Sequence, residues 1–289
     1  GKTMRSFLFV PGDDERKIAK GLASAADALI LDLEDAVAPA RKAAARELCA
    51  ATLAAGARMK LFVRINALDT GATLLDLAAV VKARPFGVML PKCRNGDDVR
   101  LVSHYLAALE ARDGVPAGEI RILPIVTETG GSMFGLGSYD TPPIPRLYGM
   151  LWGGEDLAAD LGAISNRDDD GRYAAPYLLA RSLCLFASAA SSAVAVDAVY
   201  TNFRDAAGLR KESIEALRSG FSAKAAIHPD QIAVINEAFT PSAADVEAAR
   251  RVIAAFDALP GAGVVSVDGK MLDRPHYRTA QRVLARAST

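Results

Sequence analysis

The chain predicts an α/β protein: a (β/α)8, or TIM, barrel followed by a C-terminal helical lid or oligomerisation extension. Three observations carry that prediction. Short apolar runs alternate eight times with helix-period segments, the order a closed parallel barrel requires. Acids and other polar residues gather just after the apolar runs, where parallel sheets and barrels keep their chemistry. The 289 residues exceed the roughly 250 of a typical barrel, which leaves residues 241–289 as an appendage to a barrel of residues 1–240.

The elements follow in order. Arg5–Gly12 is a strand closed by a Pro-Gly turn, and Asp13 and Asp14 can cap the helix that continues to Ala25. This turn argues against an open dinucleotide-binding sheet, whose first turn is glycine-rich; here it brings two negative charges. Asp27–Asp35 is the second strand, and a helix over Pro39–Ala55 follows. Lys60–Asn66 is the third strand, ending on Arg64 and Asn66, with a helix near Thr73–Ala83. Gly87–Lys92 is the fourth strand, Asp97–Arg112 the next helix, and Arg121–Thr129 the fifth strand.

Glycines and prolines from Gly130 to Pro145 then predict a short helix and a loop. The sixth strand, starting at Leu147, stops at Gly153-Gly154, with Glu155 and Asp156 at its end. Asn166–Gly171 is a polar insertion whose three aspartates lack the spacing and closing Glu of a calcium loop, so it reads as solvated. A helix over Pro176–Ser192, a strand over Ala195–Tyr200, a helix over Asp205–Ser219 and a strand over Lys224–Pro229 complete the barrel. The extension is a helix over Ala243–Ala258, a hairpin-like segment over Val264–Asp273 and an amphipathic helix from Arg274.

Composition narrows the function. Net charge is zero with no Lys/Arg run, which predicts no nucleic-acid partner. Apolar residues make up 51% of the chain, yet no run of 18 suggests a membrane span. Cys49, Cys93 and Cys184 are scattered without metal spacing and read as reduced thiols. With no signal-peptide pattern at the start, a cytoplasmic location is expected.

Two carboxylates on two strand ends, Glu128 and Asp156, suit a hard divalent cation such as Mg²⁺, which usually takes one or two protein acids. Each alone would serve equally as a helix cap; together, beside glycines that admit a ligand, they favour a metal. Neighbours on a strand point opposite ways, so Asp156 is the expected ligand and Glu155 lies behind it or faces solvent. Arg64 interrupts an apolar strand, either paired with Glu34 or Asp35 or clamping a carboxylate or developing oxyanion. His228 reads as a hydrogen-bonded structural histidine and Cys93 as a structural thiol. Lys92 would suit a Schiff-base aldolase, against which the paired acids argue. Asp273 is either a helix N-cap or an acid/base carried over the barrel mouth by a lid.

Across nearly its whole length the chain resembles the citrate lyase β-subunit family (HpcH/HpaI aldolase/citrate lyase). The resemblance rests on Phe9-Val-Pro-Gly12, Asp32-Leu-Glu-Asp-Ala-Val-Ala-Pro39, Val63-Arg-Ile-Asn66, Glu128-Thr129, Gly154-Glu-Asp-Leu-Ala158 and Lys224-Ala-Ala-Ile-His-Pro-Asp-Gln231. The tail Gly269-Lys-Met-Leu-Asp273 is similar to that of malyl-CoA and citramalyl-CoA lyases. The resemblance implies a Mg²⁺-dependent carbon–carbon lyase that cleaves or forms a 3-hydroxyacyl-CoA thioester, with an α-keto acid as the other product. It would place Mg²⁺ on Glu128 and Asp156, and substrate against Arg64 and Glu128. Asp273 would serve as an acid/base over a neighbouring subunit's site, in a trimer or hexamer. A class II aldolase acting on a free hydroxy-keto acid, and a catalytically quiet CoA- or metabolite-binding homologue, are the competing readings. Such aldolases tend to carry a histidine just after the second strand, where this chain has Glu34-Asp35. After the seventh strand, Asn202-Phe-Arg-Asp-Ala-Ala-Gly208 lacks two of the acids usual in the lyases.

Overall fold

The computed structural model describes residues 3–287. The barrel strands are β1 (Ser6–Pro11), β2 (Ala28–Asp32), β3 (Lys60–Arg64), β4 (Gly87–Leu90), β5 (Arg121–Pro124), β6 (Gly149–Leu151), β7 (Val194–Asp197) and β8 (Ala223–Ala226). All run parallel, in the order β5-β4-β3-β2-β1-β8-β7-β6. The two ends of that ladder meet. The Ile122 N–H donates to the Arg146 carbonyl at 2.8 Å, and the Val126 N–H to the Leu151 carbonyl at 2.9 Å. Closure excludes an open doubly wound sheet and removes the barrel's strand edges.

Around the strands lie α1 (Glu15–Ala23), α2 (Lys42–Ala55), α3 (Thr73–Val80), α4 (Gly96–Asp113), α5 (Glu155–Leu161), α6 (Ala175–Ala190), α7 (Ala206–Ser219) and α8 (Ile232–Ala238). Short polar side chains start several of them; of the two acids expected at α1, Asp14 caps it and Asp13 pairs with Arg41. Asp14 accepts the Lys17 N–H, Asn95 that of Asp98, and Asp205 that of Gly208.

Strand periodicity sorts the core into two layers. Ala28 and Ile30 point inward and pack with Phe7, Phe62, Met89, Leu123 and Val196. Leu29 and Leu31 point outward and join the larger cluster under the helices. Toward the start of the strands the interior is plugged by aromatic rings, with Phe62 5.5 Å from Phe7 and 5.8 Å from Tyr148. Burying each ring contributes roughly 1.5–3 kcal/mol. Further along the same inward rows stand Asp32 and Arg64, register partners on adjacent strands. One glycine is required here: a Cβ on Gly12 would lie 2.5 Å from the Asp32 carbonyl and 2.7 Å from the Cys49 sulfur.

Several strands are shorter than the sequence suggests. β5 ends at Pro124 rather than Thr129, because the chain turns away to form the loop that carries Glu128. The larger correction concerns Glu155 and Asp156. They do not end a strand; they open α5, a helix absent from the sequence reading. Acids in the first turn complement the helix dipole. β6 is only Gly149–Leu151, and Trp152-Gly153-Gly154 links it to that helix.

Past α8 the extension forms α9 (Ala243–Asp257), an antiparallel hairpin of β9 (Val264–Val267) and β10 (Lys270–Asp273), and α10 (Arg274–Ala287). Ser242 and Asp245 form a capping box at the start of α9. Phe256 meets Tyr277 edge-on at 5.3 Å, and the Arg274 guanidinium lies 5.1 Å from the Phe256 ring, joining α9 to α10. Among the described residues no helix is long and apolar enough to cross a membrane.

Candidate active site

The site grows from the inward row at the carboxyl ends of β2 and β3. Arg64 donates Nε to Asp32 Oδ1 at 2.8 Å and Nη2 to Oδ2 at 2.7 Å, a bidentate pair. Asp32 also accepts the N–H groups of Glu34 and Ala36, at 2.8 and 3.0 Å. Burial pushes the Asp32 carboxyl up, but Arg64 and these N–H groups outweigh it and hold it below the usual range. Burial likewise disfavours the Arg64 cation, and Asp32 and Glu34 more than restore it, so the guanidinium stays charged. Its Cζ lies over the Phe9 ring, 4.8 Å from the centroid. Of the two expected partners, Glu34 is near, at 3.4 Å from Nη1, while Asp35 instead sits 3.7 Å from Lys92. The principal partner is Asp32, because parallel register sets it directly opposite Arg64.

A second group of acids faces this one. Glu128 Oε1 accepts the Lys92 main-chain N–H at 2.7 Å. Its segment is pinned to the double glycine by Thr127 Oγ1, which accepts the Gly153 N–H at 2.9 Å. Glu128 and Asp156 are hydrogen-bonded to each other across the gap between the β5 loop and α5. Burial, and then Asp156, lift the Glu128 carboxyl well above the usual range; the bond from Glu128 holds Asp156 below it. Two acids held this close favour a cation between them.

Lys92 stands between the two groups and donates Nζ to Glu34 Oε2 at 2.7 Å. Burial disfavours its ammonium, but Glu34, Glu128 and Asp156 override this and keep it protonated. A cation so held is no Schiff-base nucleophile, in line with the sequence argument. Lys42 fixes the acidic loop from below, donating to the carbonyls of Leu33 and Glu34 at 2.7 Å and to Asn66 Oδ1 at 2.9 Å.

Asp32, Asp35, Arg64, Glu128, Glu155 and Asp156 form the charged wall of a cavity of about 1070 Å³. From there it runs past Phe9, Leu151 and Trp152 to an arm lined by Lys17, Lys20, Ser24, Ile227, His228 and Ile232. Acids outnumber cations here: Asp32, Glu34, Glu128 and Asp156 converge around Arg64 and Lys92. Two carboxylate donors with that excess fit a hard dication that keeps several of its waters.

Glu155 accepts from Asn166 Nδ2 at 3.0 Å and is exposed at the cavity margin. The His228 side chain accepts the Asp230 N–H at 3.0 Å and stacks on Phe203 at 4.6 Å, a structural role. Cys93 is buried against Tyr139, with its thiol pushed up to about 12 by burial, and does not line the cavity. In the strip after β7, Asp205 is occupied by the Tyr200 hydroxyl at 2.6 Å and by its cap on α7. Asp273 is the outlier. It is exposed at the end of β10, 2.7 Å from His276 Nδ1, and does not line this chain's own cavity.

Residues 5–229 match the HpcH/HpaI aldolase/citrate lyase family. The chain belongs to this family. The (3S)-malyl-CoA thioesterase of Cereibacter sphaeroides strain KD131 is 38% identical over 98% of this chain and 94% of that protein. The mitochondrial citramalyl-CoA lyase of Mus musculus is 34% identical over 99% of this chain and 86% of its own length. Among solved structures, CitE of Mycobacterium tuberculosis in complex with magnesium, acetoacetate and coenzyme A superposes with a TM-score of 0.78 at 33% identity, covering 99% of both chains.

The family motifs Asp32–Pro39 and Val63–Asn66 thus sit at one wall of the cavity, but sequence reasoning offered Glu34 and Asp35, not Asp32, as partners of Arg64, and weighed Lys92 only as a Schiff-base lysine. Period-2 alternation from Ala28 would have pointed Asp32 inward. For Lys92 no local signal existed, because its contacts span 58 residues to Glu34 and 36 to Glu128.

Proposed function

We propose that the chain is a Mg²⁺-dependent carbon–carbon lyase acting on a 3-hydroxyacyl-CoA thioester of citryl, malyl or citramalyl type. The products of cleavage are acetyl-CoA and an α-keto acid. The observation that carries this reading is the convergence of the Glu128–Asp156 pair and the Asp32-braced Arg64 on one cavity wall. Glu128 and Asp156 would hold the ion, which when bound supplies Lewis-acid charge to the carboxylate and keto oxygen of the keto acid.

The remaining steps belong to the chain. Arg64 has Nε and Nη2 committed to Asp32, which leaves Nη1 to donate to the oxygen that gains charge as the carbon–carbon bond breaks. Because Asp32 fixes the guanidinium beforehand, little reorganisation accompanies that step. The long arm of the cavity suits the carrier: Lys17 and Lys20 offer charge to phosphates, and Ile227 and Ile232 offer apolar walls to the pantetheine chain. As the carbon–carbon bond breaks, the 3-hydroxyl gives up its proton and becomes the keto oxygen, and a proton must reach the acetyl-CoA enolate carbon. We assign it to Asp273 of a neighbouring copy in a homo-oligomer, a trimer or hexamer, since Asp273 lies outside its own chain's cavity.

Support comes also from relatives: the mycobacterial CitE structure holds magnesium, acetoacetate and coenzyme A, and the mouse relative is a citramalyl-CoA lyase. A second reading, hydrolysis of the thioester, is favoured by the 38% identity to a (3S)-malyl-CoA thioesterase. Turnover of citryl-, malyl- and citramalyl-CoA, followed by product analysis with and without EDTA, separates these readings. A lyase releases acetyl-CoA and a keto acid, whereas a thioesterase releases free CoA and the hydroxy acid. Turnover of free hydroxy-keto acids alone would indicate an aldolase, and turnover of nothing a binding homologue. Activity surviving complete metal removal would overturn the mechanism, and full activity in Asp273→Asn would overturn the assignment of the proton donor.

A further inference from the structure

Lys92 is built in a way its fold position does not require. Its backbone has φ 51°, a left-handed conformation that costs a residue with a side chain about 1–2 kcal/mol. Its side chain is 35% exposed, so burial of the stem does not repay that strain. What the conformation achieves is direction. The main-chain N–H points at Glu128 Oε1, 2.7 Å away, while the ammonium turns the other way to Glu34 Oε2, also at 2.7 Å. The second Glu34 oxygen is buried without a hydrogen-bond partner and lies 3.4 Å from Arg64 Nη1.

We propose that Lys92 is a positioning residue that couples the acid pair to the arginine: its main chain sets Glu128 and its side chain sets Glu34, which in turn restrains the free edge of Arg64. The inference rests on the lyase reading above and deepens it. Two groups from different loops must keep a fixed separation if one is to hold a dication and the other to meet the oxygen charge. Misplacement by about 1 Å costs on the order of 10²-fold in rate. Lys92 spans that separation with two bonds from a single residue.

The two bonds are separable. Lys92→Met keeps the N–H to Glu128 and loses the ammonium; Lys92→Gly does the same and also relieves the left-handed strain. Both are expected to lower kcat roughly 10–100-fold, as loss of partners that orient ligands does, with the thioester KM little changed. Lys92→Arg, which keeps a cation within reach of Glu34, is expected to recover part of the loss.

The readout that a structural role would not move is cation affinity. Removing an ammonium near Glu128 and Asp156 makes the site more negative, so Mn²⁺, measured by calorimetry without substrate, is expected to bind severalfold more tightly even as turnover falls. Glu34→Gln should lower kcat alike, and Lys92→Met/Glu34→Gln should be no worse than the poorer single variant, because both act through one linkage. Wild-type kcat in Lys92→Met, a parallel fall of Mn²⁺ affinity and melting temperature, or multiplicative losses in the double variant would each overturn the proposal. Should the unmodified protein turn over no thioester, the lyase reading fails. Lys92 is then decided by Mn²⁺ affinity alone: tighter binding in Lys92→Met supports its place beside the acid pair, and unchanged or weaker binding refutes it.

Discussion

Two of the charge networks within this barrel are finished differently. Behind β7 and β8, facing the helices, Lys224 is fully buried and donates to Asp197 at 2.8 Å, to Glu212 at 2.7 Å and to the Ala198 carbonyl at 2.7 Å. Asp197 accepts the Trp152 indole N–H at 2.7 Å, and Glu212 accepts from Arg167 at 2.8 Å. Each of the three ammonium donors has a partner, so the network is closed. At the barrel mouth, Asp32 is equally saturated, yet Glu34 keeps an oxygen without a hydrogen bond and buried Glu128 has a second acid, Asp156, as its side-chain neighbour. Saturated buried charge holds a structure together; unsaturated buried charge is sustained by the fold around it and marks where a ligand would complete it. Mere burial of charge would have nominated both networks; completeness separates them.

The sharpest way to test the contrast is to break the closed network. Lys224→Met leaves Asp197 and Glu212 buried without their cation and is expected to cost about 3–5 kcal/mol of stability. Urea unfolding followed by the fluorescence of Trp152, the single tryptophan, would register it. A loss near zero would mean the networks differ less than their hydrogen bonds suggest. The mirror experiment is Arg64→Lys at the mouth. A point charge cannot keep the bidentate grip on Asp32, so turnover is expected to fall about 10²–10³-fold while the melting temperature moves little. A large loss of stability with kcat preserved would reverse the roles assigned to the two regions.

The smallest effect concerns acid. Asp32 has its folded-state carboxyl held below its unfolded value, so its stabilisation is complete above the unfolded carboxylate range and is lost as pH falls through the folded one. Glu34, lifted by burial, acts in the opposite sense: its contribution is present at low pH and lost as pH rises through its folded value. Melting temperature followed from neutral pH to about 3 should therefore fall less steeply in Asp32→Asn than in the parent chain. The gap between Glu34→Gln and the parent should shift in favour of the variant as pH rises. Parallel curves for either variant would remove that carboxylate from the acid response.

Much of the barrel was legible in the chain because its signals are local. Eight apolar runs with helix-period segments between them survive errors of a few residues at their ends, and the turn after β1, acidic and not glycine-rich, argued against a dinucleotide-binding sheet. Glu128, Asp156 and Arg64 were legible as residue types out of place in apolar surroundings. The misreading of Glu155 and Asp156 as strand-end residues has a definite cause: the run Leu147–Trp152 is continuously apolar, and nothing in it shows that only Gly149–Leu151 pair in the sheet. The double glycine then hides a helix of seven residues, too short to display a periodicity of its own.

The sequence by itself determined the class of fold, the strand ends that carry chemistry, and the residue types that a dication and an oxyanion would require. Only the tertiary structure decided which of those residues meet. Strand register set Asp32, rather than Asp35, opposite Arg64; barrel closure brought the β5 loop against α5 so that Glu128 and Asp156 meet; and a left-handed turn aimed Lys92 at both groups. The physical reason is that hydrophobic periodicity acts between neighbours in the chain. A charge constellation instead depends on distances across 30 or more residues, such as the 32 between Asp32 and Arg64 and the 36 between Lys92 and Glu128. Asp273 marks the same boundary from outside: its sequence resembles a lyase tail, and a single folded chain leaves it away from its own cavity.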